Sequence, residues 1–193
     1  MYSRSGVKPG LCVLALLASL ALPRAARAAG EKEWQLGART GLDRVTVDGR
    51  SSWGFAAGVD IEYGLSDSWA LRASVASSLH SLDREGVMDT RPAGKLITST
   101  ALAGLTYTID ILRLVPYADL QLGVARTDGA VVNPGFAFIS AMGIGADYYV
   151  TPLWTAGAYF QYLFDPFDLF SDPFNLGRSP YGFSASLRIS RIF

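Results

Sequence analysis

The stretch that decides the fold reads Tyr181-Gly-Phe-Ser-Ala-Ser-Leu-Arg-Ile-Ser-Arg-Ile-Phe193. Successive side chains of a β-strand point to opposite faces, so this stretch has two different sides. One side carries the larger apolar residues, followed by an arginine and the final ring: Tyr181, Phe183, Ala185, Leu187, Ile189, Arg191 and Phe193. The other side is mainly glycine and serine. This combination is typical of a transmembrane β-barrel strand, which contacts lipid on one face and the barrel interior on the other.

The same alternation recurs eight times along the chain. Strands are predicted near residues 34–42, 53–65, 69–79, 97–109, 114–125, 138–150, 154–164 and 181–193. About twelve residues at roughly 3.3 Å each, tilted by about 40°, span about 25–30 Å, which matches the apolar band of an outer membrane. The pattern therefore predicts an all-β fold: an eight-stranded antiparallel up-and-down transmembrane β-barrel.

The predicted connections alternate between short and long. The short ones are 66–68, 110–113 and 151–153, and the long ones are 43–52, 80–96, 126–137 and 165–180. Short periplasmic turns and long outer loops are the pattern of outer-membrane barrels, and aromatic residues cluster at both ends of the strands, as in interfacial girdles. A soluble lipocalin-like barrel is the alternative, but it would bury these rings in a small core and expose glycine-rich faces.

The amino terminus predicts export. Arg4 and Lys8 precede an apolar run at 11–22, and Ala26-Arg27-Ala28 provides a small-x-small cleavage site. These features are typical of a secretory signal peptide at 1–28, followed by the barrel domain at 29–193. Together with the strands, they predict a location in the bacterial outer membrane.

Cleavage would change the charge and remove the cysteine. Residues 1–28 hold four of the 17 basic residues, none of the 17 acidic ones, and the only cysteine, Cys12. The remaining chain would carry a net charge of about −4, which argues against nucleic acid as a partner. It would have no disulfide and no thiol chemistry.

Three stretches resemble a known family: Pro116-Tyr-Ala-Asp-Leu-Gln-Leu-Gly-Val124, Gly143-Ile-Gly-Ala-Asp-Tyr-Tyr149 and Trp154-Thr-Ala-Gly-Ala-Tyr-Phe-Gln-Tyr162. They resemble the small outer-membrane β-barrel superfamily that includes outer-membrane proteins W and X and the barrel domain of outer-membrane protein A. The resemblance implies a fold and a location. Members variously act as structural barrels, adhesins, narrow channels for apolar compounds or lipid A-modifying enzymes, so activity stays open.

The resemblance also implies partners. We expect contact with outer-membrane lipid and lipopolysaccharide, recognition of the C-terminal strand by the outer-membrane assembly machinery, and a monomer. Arg191 departs from the family pattern, which usually has an apolar or aromatic residue two places before the last. Its aliphatic stem can lie along lipid while the guanidinium reaches the headgroups.

The predicted interior face carries seven charged residues at one level of the lower half: Arg39, Asp60, Glu62, Arg72, Asp119, Asp147 and Arg188. An eight-stranded barrel is only wide enough for side chains to fill, so buried charges there must pair. The sequence predicts a structural ion-pair plug, and the alternative is a proton or ion path.

Above this level the inward residues are small or neutral: Ser74, Ala76, Ser78, Thr98, Thr100, Ala125, Ala141, Gly143, Ser184 and Ser186. One hypothesis is a shallow cavity that opens outward and admits a small apolar ligand. The alternative is that Tyr159, Gln161 and folded loops fill this space.

The last long loop is unusually apolar. It repeats Asp-Pro-Phe at 165–167 and 172–174. Its apolar residues are predicted ligand or partner contacts: Phe167, Leu169, Phe170, Phe174 and Leu176. Exposed apolar clusters usually mark contact surfaces, although these rings can instead fold back as a lid. Asp165, Asp168 and Asp172 do not match the spacing of a calcium loop.

A catalytic site is not predicted. His80, the only histidine, is expected at the loop edge as a solvated residue, with Ser78 on the same inward face and Glu85 nearby. Barrel-type lipid A deacylases place a His-x-Ser pair on the lipid side, whereas Ser78-x-His80 has the opposite order and faces inward. One histidine without clustered ligands provides no metal site, and no cofactor is predicted.

The sequence therefore predicts a small, non-enzymatic outer-membrane barrel with a structural or surface role. Two alternatives stay open. The first is a binding or uptake barrel for small apolar molecules, through the upper lumen and the aromatic loop at 165–178. The second is a lipid A-modifying enzyme that acts through His80.

Overall fold

The structure is a computed structural model, and it describes residues 31–47, 50–82, 93–109, 113–129, 132–166 and 181–193. Its eight strands are β1 Trp34–Val47, β2 Arg50–Gly64, β3 Trp69–Leu82, β4 Gly94–Thr108, β5 Leu114–Gly129, β6 Val132–Thr151, β7 Trp154–Phe164 and β8 Tyr181–Ile192. Each pairs antiparallel with its neighbours in sequence, and β1 pairs with β8 to close the barrel. The predicted fold class is confirmed, and the predicted signal peptide at 1–28 lies outside the described residues.

No helix in the described part of the chain is long and apolar enough to cross a membrane.

Two predicted loops are largely strand. Residues 43–52 and 126–137 were expected to be long connections, but β1 runs to Val47 before β2 begins at Arg50, and β5 runs to Gly129 before β6 begins at Val132. The hairpin ladder continues through pairs such as Arg44 with Trp53. The prediction was wrong because it ended each strand where the residues became polar, whereas backbone hydrogen bonds continue beyond an apolar belt. For the same reason, the predicted loop at 80–96 is shorter than expected, because β3 runs to Leu82 and β4 begins at Gly94.

The two faces of the barrel invert the pattern of a soluble protein. Outward-facing side chains are large, apolar and exposed, for example Val59 at 54% and Leu187 at 70%. Inward-facing arginines are buried, with Arg72 at 1% and Arg188 at 3%. Charged residues are almost never fully buried unless they are paired, and exposed leucine and valine in a continuous belt require an apolar solvent. The inversion identifies lipid as the surroundings of the barrel wall.

Aromatic pairs mark the end of the barrel that carries the β2–β3, β4–β5 and β6–β7 connections, which are called the short turns below. The ring centroids of Trp34 and Tyr63 lie 4.7 Å apart, and those of Trp69 and Tyr107 lie 5.0 Å apart. Each pair joins directly opposed residues on neighbouring strands. Such cross-strand ring pairs stabilise the sheet and form the predicted interfacial girdle.

Glycines make room for large rings in the lumen. A Cβ atom at Gly143 would collide with the ring of Tyr159, and one at Gly145 would collide with the ring of Tyr117. Both glycines lie on β6, between β5 and β7, which carry the two tyrosines. The narrow lumen can therefore hold two tyrosines at the level of the charged residues.

Candidate functional site

The lower lumen is filled by an ion network with two arginines at its centre. Arg72 on β3 contacts three carboxylates: Nη1 donates to Asp119 Oδ2 at 3.0 Å, Nε lies 3.3 Å from Glu62 Oε1, and Nη2 lies 3.4 Å from Asp60 Oδ1. Only the contact with Asp119 has hydrogen-bond geometry. The side chain of Arg72 is completely buried, so these carboxylates replace water as its surroundings.

Arg188 on β8 completes the network. Strand β1 lies between β8 and β2, which carries Asp60 and Glu62. Its Nη2 donates to Asp60 Oδ2 at 2.5 Å and to Glu62 Oε1 at 2.7 Å, and its Nη1 donates to Asp147 Oδ2 at 2.5 Å. Gly37 lies on β1 between these strands, and a Cβ there would collide with both Asp60 and Arg188. A bare backbone at this point lets the guanidinium reach across one strand to its partners.

Two stacked tyrosines close the gaps beside the arginines. The rings of Tyr117 and Tyr159 are 5.9 Å apart and nearly parallel. The Arg72 guanidinium lies 4.6 Å from the Tyr159 centroid, within range of a cation–π interaction. The Tyr159 hydroxyl donates to Asp119 Oδ1 at 3.0 Å, and Gln121 Nε2 donates to the same oxygen at 2.8 Å. Sequence reasoning missed Tyr117 and Gln121, although the alternation along β5 places both on the face of Asp119.

Six of the seven residues predicted for the charge plug lie in this network, and Arg39 lies at its edge. Its Nη1 donates to Gln161 Oε1 at 3.2 Å, and its guanidinium lies 5.2 Å from the Tyr159 ring centroid. Among the described residues, no ion pair joins Arg39 to a carboxylate. Its positive charge is therefore balanced less directly than those of Arg72 and Arg188.

Between the described residues, two separate small cavities lie in the lumen. The upper cavity has a volume of about 30 Å³ and the lower cavity about 20 Å³, counted as the space that the centres of water molecules can occupy. Arg39 and Gln161 line the upper cavity, whereas Glu62 and Arg188 line the lower one. Since one water needs about 10–15 Å³ by this measure, each cavity has room for very few waters.

Both polar and apolar residues line the upper cavity. The polar ones include Asp43, Thr98 and Gln161, and each of these has a buried polar atom without a hydrogen-bond partner: Asp43 Oδ1, Thr98 Oγ1 and Gln161 Nε2. Unpaired oxygens and nitrogens around a space of this size fit water molecules. Between the described residues, the cavity is too small for an organic ligand.

Asp43, Ser78 and His80 form a second polar cluster near this cavity. His80 Nε2 lies 2.9 Å from Ser78 Oγ and 3.4 Å from Asp43 Oδ2. His80 is 1% exposed within β3, so the expectation of a solvated residue at a loop edge was wrong. Gly54 on β2 pairs with both Asp43 and His80, and its missing side chain lets them meet. Because alternation alone does not indicate contacts across two strands, sequence reasoning missed Asp43.

This cluster does not have the geometry of a catalytic triad. In a triad, the acid holds one ring nitrogen of the histidine while the other nitrogen accepts the serine proton. Here Asp43 and Ser78 both contact Nε2, and Nδ1 has no hydrogen-bond partner. Glu85, the acid considered from the sequence, lies outside the described residues. Within the described ranges, no group of three or more histidine, cysteine or carboxylate side chains could hold a metal ion.

Apolar residues fill the lumen near both of its ends. Val45, Leu82 and Leu96 form a buried cluster in the outer half, and Val115, Tyr149 and Ile192 form another at the end with the short turns. A third buried apolar cluster, formed by Leu102, Ala125, Ile139 and Ala141, lies on β4, β5 and β6, so polar and apolar groups share the lumen between its two ends. The predicted loop contacts Phe167, Leu169, Phe170, Phe174 and Leu176 lie outside the described residues and stay predictions.

Comparisons with known proteins agree with this architecture. Residues 12–186 match the family model described as outer membrane protein beta-barrel domain. The chain is similar in structure to Neisserial surface protein A (NspA), with a TM-score of 0.62, 16% identity and coverage of 83% of this chain and 99% of that one.

Two further solved structures are also similar. The attachment invasion locus protein Ail of Yersinia pestis has a TM-score of 0.56 and 16% identity, covering 84% of this chain and 99% of that one. OprG from Pseudomonas aeruginosa has a TM-score of 0.53 and 15% identity, covering 86% and 98%. No curated protein matches the chain in sequence. The chain belongs to the outer-membrane β-barrel family, and its eight strands cross the bacterial outer membrane.

Proposed function

We propose that this protein is a closed, non-catalytic barrel with a structural or surface role in the outer membrane. One observation carries the proposal: two buried arginines and four carboxylates occupy the lower lumen. A hydrated ion can pass this level only if at least one of these pairs separates. Removing one partner of a buried pair costs about 3–5 kcal/mol. Separating a pair also leaves uncompensated charge in the lumen, so a permanently open path is disfavoured.

A bilayer measurement tests the closed state. The refolded protein should show no steady, porin-like conductance in a planar lipid bilayer. Shifted mobility of the unheated protein on a gel reports that the barrel is folded, and flotation with vesicles reports that it is inserted. A well-resolved steady conductance from protein that passes both controls would refute the proposal.

The absence of catalysis is supported by the contacts of His80. Both Asp43 and Ser78 lie on its Nε2 atom, so the histidine cannot relay a proton between them. The cavity beside these residues has room for only a few waters. A lipid A-modifying activity would require an acyl ester to enter this cavity or the cluster to rearrange.

A surface role would use the connection between β7 and β8. It contains Phe167, Phe170 and Phe174, although an outer loop is expected to be exposed to water. Exposed apolar clusters usually mark contact surfaces. Replacing all three with serine should weaken any binding of the protein to small apolar ligands or to cell surfaces. Unchanged binding by a folded variant would assign these rings to packing.

A further inference from the structure

The charges of the lower lumen do not balance. Three buried cations and four buried carboxylates lie there: Arg39, Arg72, Arg188, Asp60, Glu62, Asp119 and Asp147. A fifth buried carboxylate among the described residues, Asp43, lies above them and contacts His80. With all seven groups of the lower lumen charged, an excess of one negative charge is left. Excess charge in a buried site is costly unless a counter-charge accompanies it.

The lower cavity adjoins two of these four carboxylates. Glu62 and Asp147 line it, together with Arg188, Gln35 and Tyr117. Both carboxylates accept hydrogen bonds from the guanidinium of Arg188, so they are close neighbours. A counter-ion in this cavity would therefore lie beside two carboxylates of the network that carries the excess charge.

The residues around this cavity offer oxygen atoms to a ligand. Asp147 Oδ1 and Tyr117 OH have no hydrogen-bond partner, although their side chains are only 5% and 6% exposed. Glu62 contacts both arginines through Oε1, which leaves Oε2 as its second acceptor. Gln35 donates through Nε2 to Ser190 Oγ, which leaves its carbonyl oxygen as an acceptor. Hard cations take carboxylate, carbonyl and hydroxyl oxygens as ligands.

Charge and volume together favour a monovalent cation. One positive charge removes the excess, whereas a divalent ion would replace it with a positive excess of the same size. The cavity of about 20 Å³ has room for about one or two particles of the size of water. Mg²⁺ usually keeps several waters, which do not fit there. Ser66 also lines the cavity, so the cavity reaches the end of the barrel with the short turns, where an ion can enter.

We propose that the lower cavity binds one monovalent metal cation, such as Na⁺, between Glu62 and Asp147. The two carboxylates supply the negative charge, and Gln35 and Tyr117 supply neutral oxygens. The bound ion balances the charge of the lower lumen and thereby stabilises the folded barrel. A structural role of the barrel does not by itself require this ion.

Urea unfolding at different Na⁺ concentrations tests the site. The protein is inserted into vesicles of zwitterionic phosphatidylcholine, and N-methylglucamine, a cation too large for the cavity, replaces Na⁺ so that the ionic strength stays constant. An ion that binds only the folded state at one site multiplies the folding equilibrium constant by 1 + [Na⁺]/Kd. Once Na⁺ exceeds its Kd, each tenfold increase should raise that constant about tenfold. No dependence on Na⁺ over a hundredfold range would overturn the proposal.

Two variants separate the site from general effects of salt. Asp147→Asn removes a ligand and the excess charge together, because three cations then face three carboxylates, so it should fold and lose the dependence on Na⁺. Asp128→Asn is the matched control, since it removes the same charge from an exposed residue that pairs with Arg126. Its dependence on Na⁺ should equal that of the wild type. The same dependence in Asp147→Asn would assign the effect to the surface or the membrane and overturn the proposal.

The linewidth of the sodium NMR resonance provides a second readout, which does not involve unfolding. Na⁺ that exchanges with the site in the protein–detergent micelle should broaden the line, and Asp147→Asn should reduce the broadening to that of empty micelles. Tyr117→Phe removes only a neutral ligand, so it should reduce the broadening less. Equal broadening in the wild type and Asp147→Asn would contradict the site.

A bound proton is the other way to balance the charge, and the same assay identifies it. Stability of the wild type that changes with pH but not with Na⁺ would assign the excess charge to a proton and overturn the cation site. Gel mobility of unheated samples verifies that each variant is folded. Because the Na⁺ dependence and the sodium linewidth of the wild type require no variant, both stay decisive even if Asp147→Asn does not fold.

Discussion

The lower and upper halves of the lumen are filled in two different ways. In the lower half, Arg72 and Arg188 reach across the lumen to carboxylates on other strands, and glycines such as Gly37 make that reach possible. In the upper half, Ala76 and Ser186 leave a cavity that fits a few waters. The difference shows that side chains can block an eight-stranded barrel at one level and leave room for a few waters at another.

This contrast has an energetic consequence. A buried charge in the ion network is balanced mainly by other charges, so the loss of one charged partner leaves the rest undercompensated. A polar group beside the upper cavity can exchange a lost side-chain partner for water. Substitutions in the lower half should therefore be much more destabilising than substitutions in the upper half.

The largest effect is expected for Arg188→Ala. This substitution leaves Asp60, Glu62 and Asp147 without a main partner, and it should lower the free energy of unfolding by about 3–5 kcal/mol. Urea unfolding in lipid vesicles, followed by tryptophan emission, measures the change. Arg126→Ala is the matched surface control, since it removes an exposed ion pair that contributes about 0–1 kcal/mol. Similar losses in both variants would mean that the lower network is no more important than a surface pair.

A smaller effect is expected for Gly143→Ala. The new methyl group meets the Tyr159 ring, which must shift away from Asp119 and Arg72. Such overpacking costs about 1–3 kcal/mol. Ala76→Val is the matched control, because it adds methyl groups to a residue that lines the upper cavity. The same vesicle assay compares them, and a larger loss in Ala76→Val would reverse the proposed contrast between the two halves.

Alternation predicted most of this architecture because a barrel strand shows one face to lipid and the other to the lumen. It placed Asp60, Arg72 and Arg188 inward, which is where they lie. It did not indicate that Asp43 contacts His80, because that contact crosses a third strand and depends on Gly54. Distances across strands follow from register and shear, which one sequence does not encode as a local pattern.

The outer ends of the strands were predicted less well than their membrane-spanning parts, for a related reason. The β1–β2 and β5–β6 hairpins continue beyond the apolar belt, where polar residues resemble loops although the ladder persists. Arg44 therefore fell in a predicted loop, and its position between Trp53 and Phe183 emerged only from the register of β8, β1 and β2. Cross-strand neighbours, rather than composition, define the surroundings of Arg44.

The smallest effect is expected for His80→Ala, which tests the upper half directly. The substitution removes the contacts of His80 with Ser78 and Asp43, but these residues line a cavity that can hold water. The free energy of unfolding should therefore fall by only about 1 kcal/mol, the net contribution of one hydrogen bond. Lipid A extracted from cells that express His80→Ala or the wild type should have the same mass spectrum, since neither is expected to modify lipid. A wild-type-specific change in acyl chains would assign a catalytic role to His80, and a loss as large as that of Arg188→Ala would show that the upper chamber is as tightly coupled as the ion network.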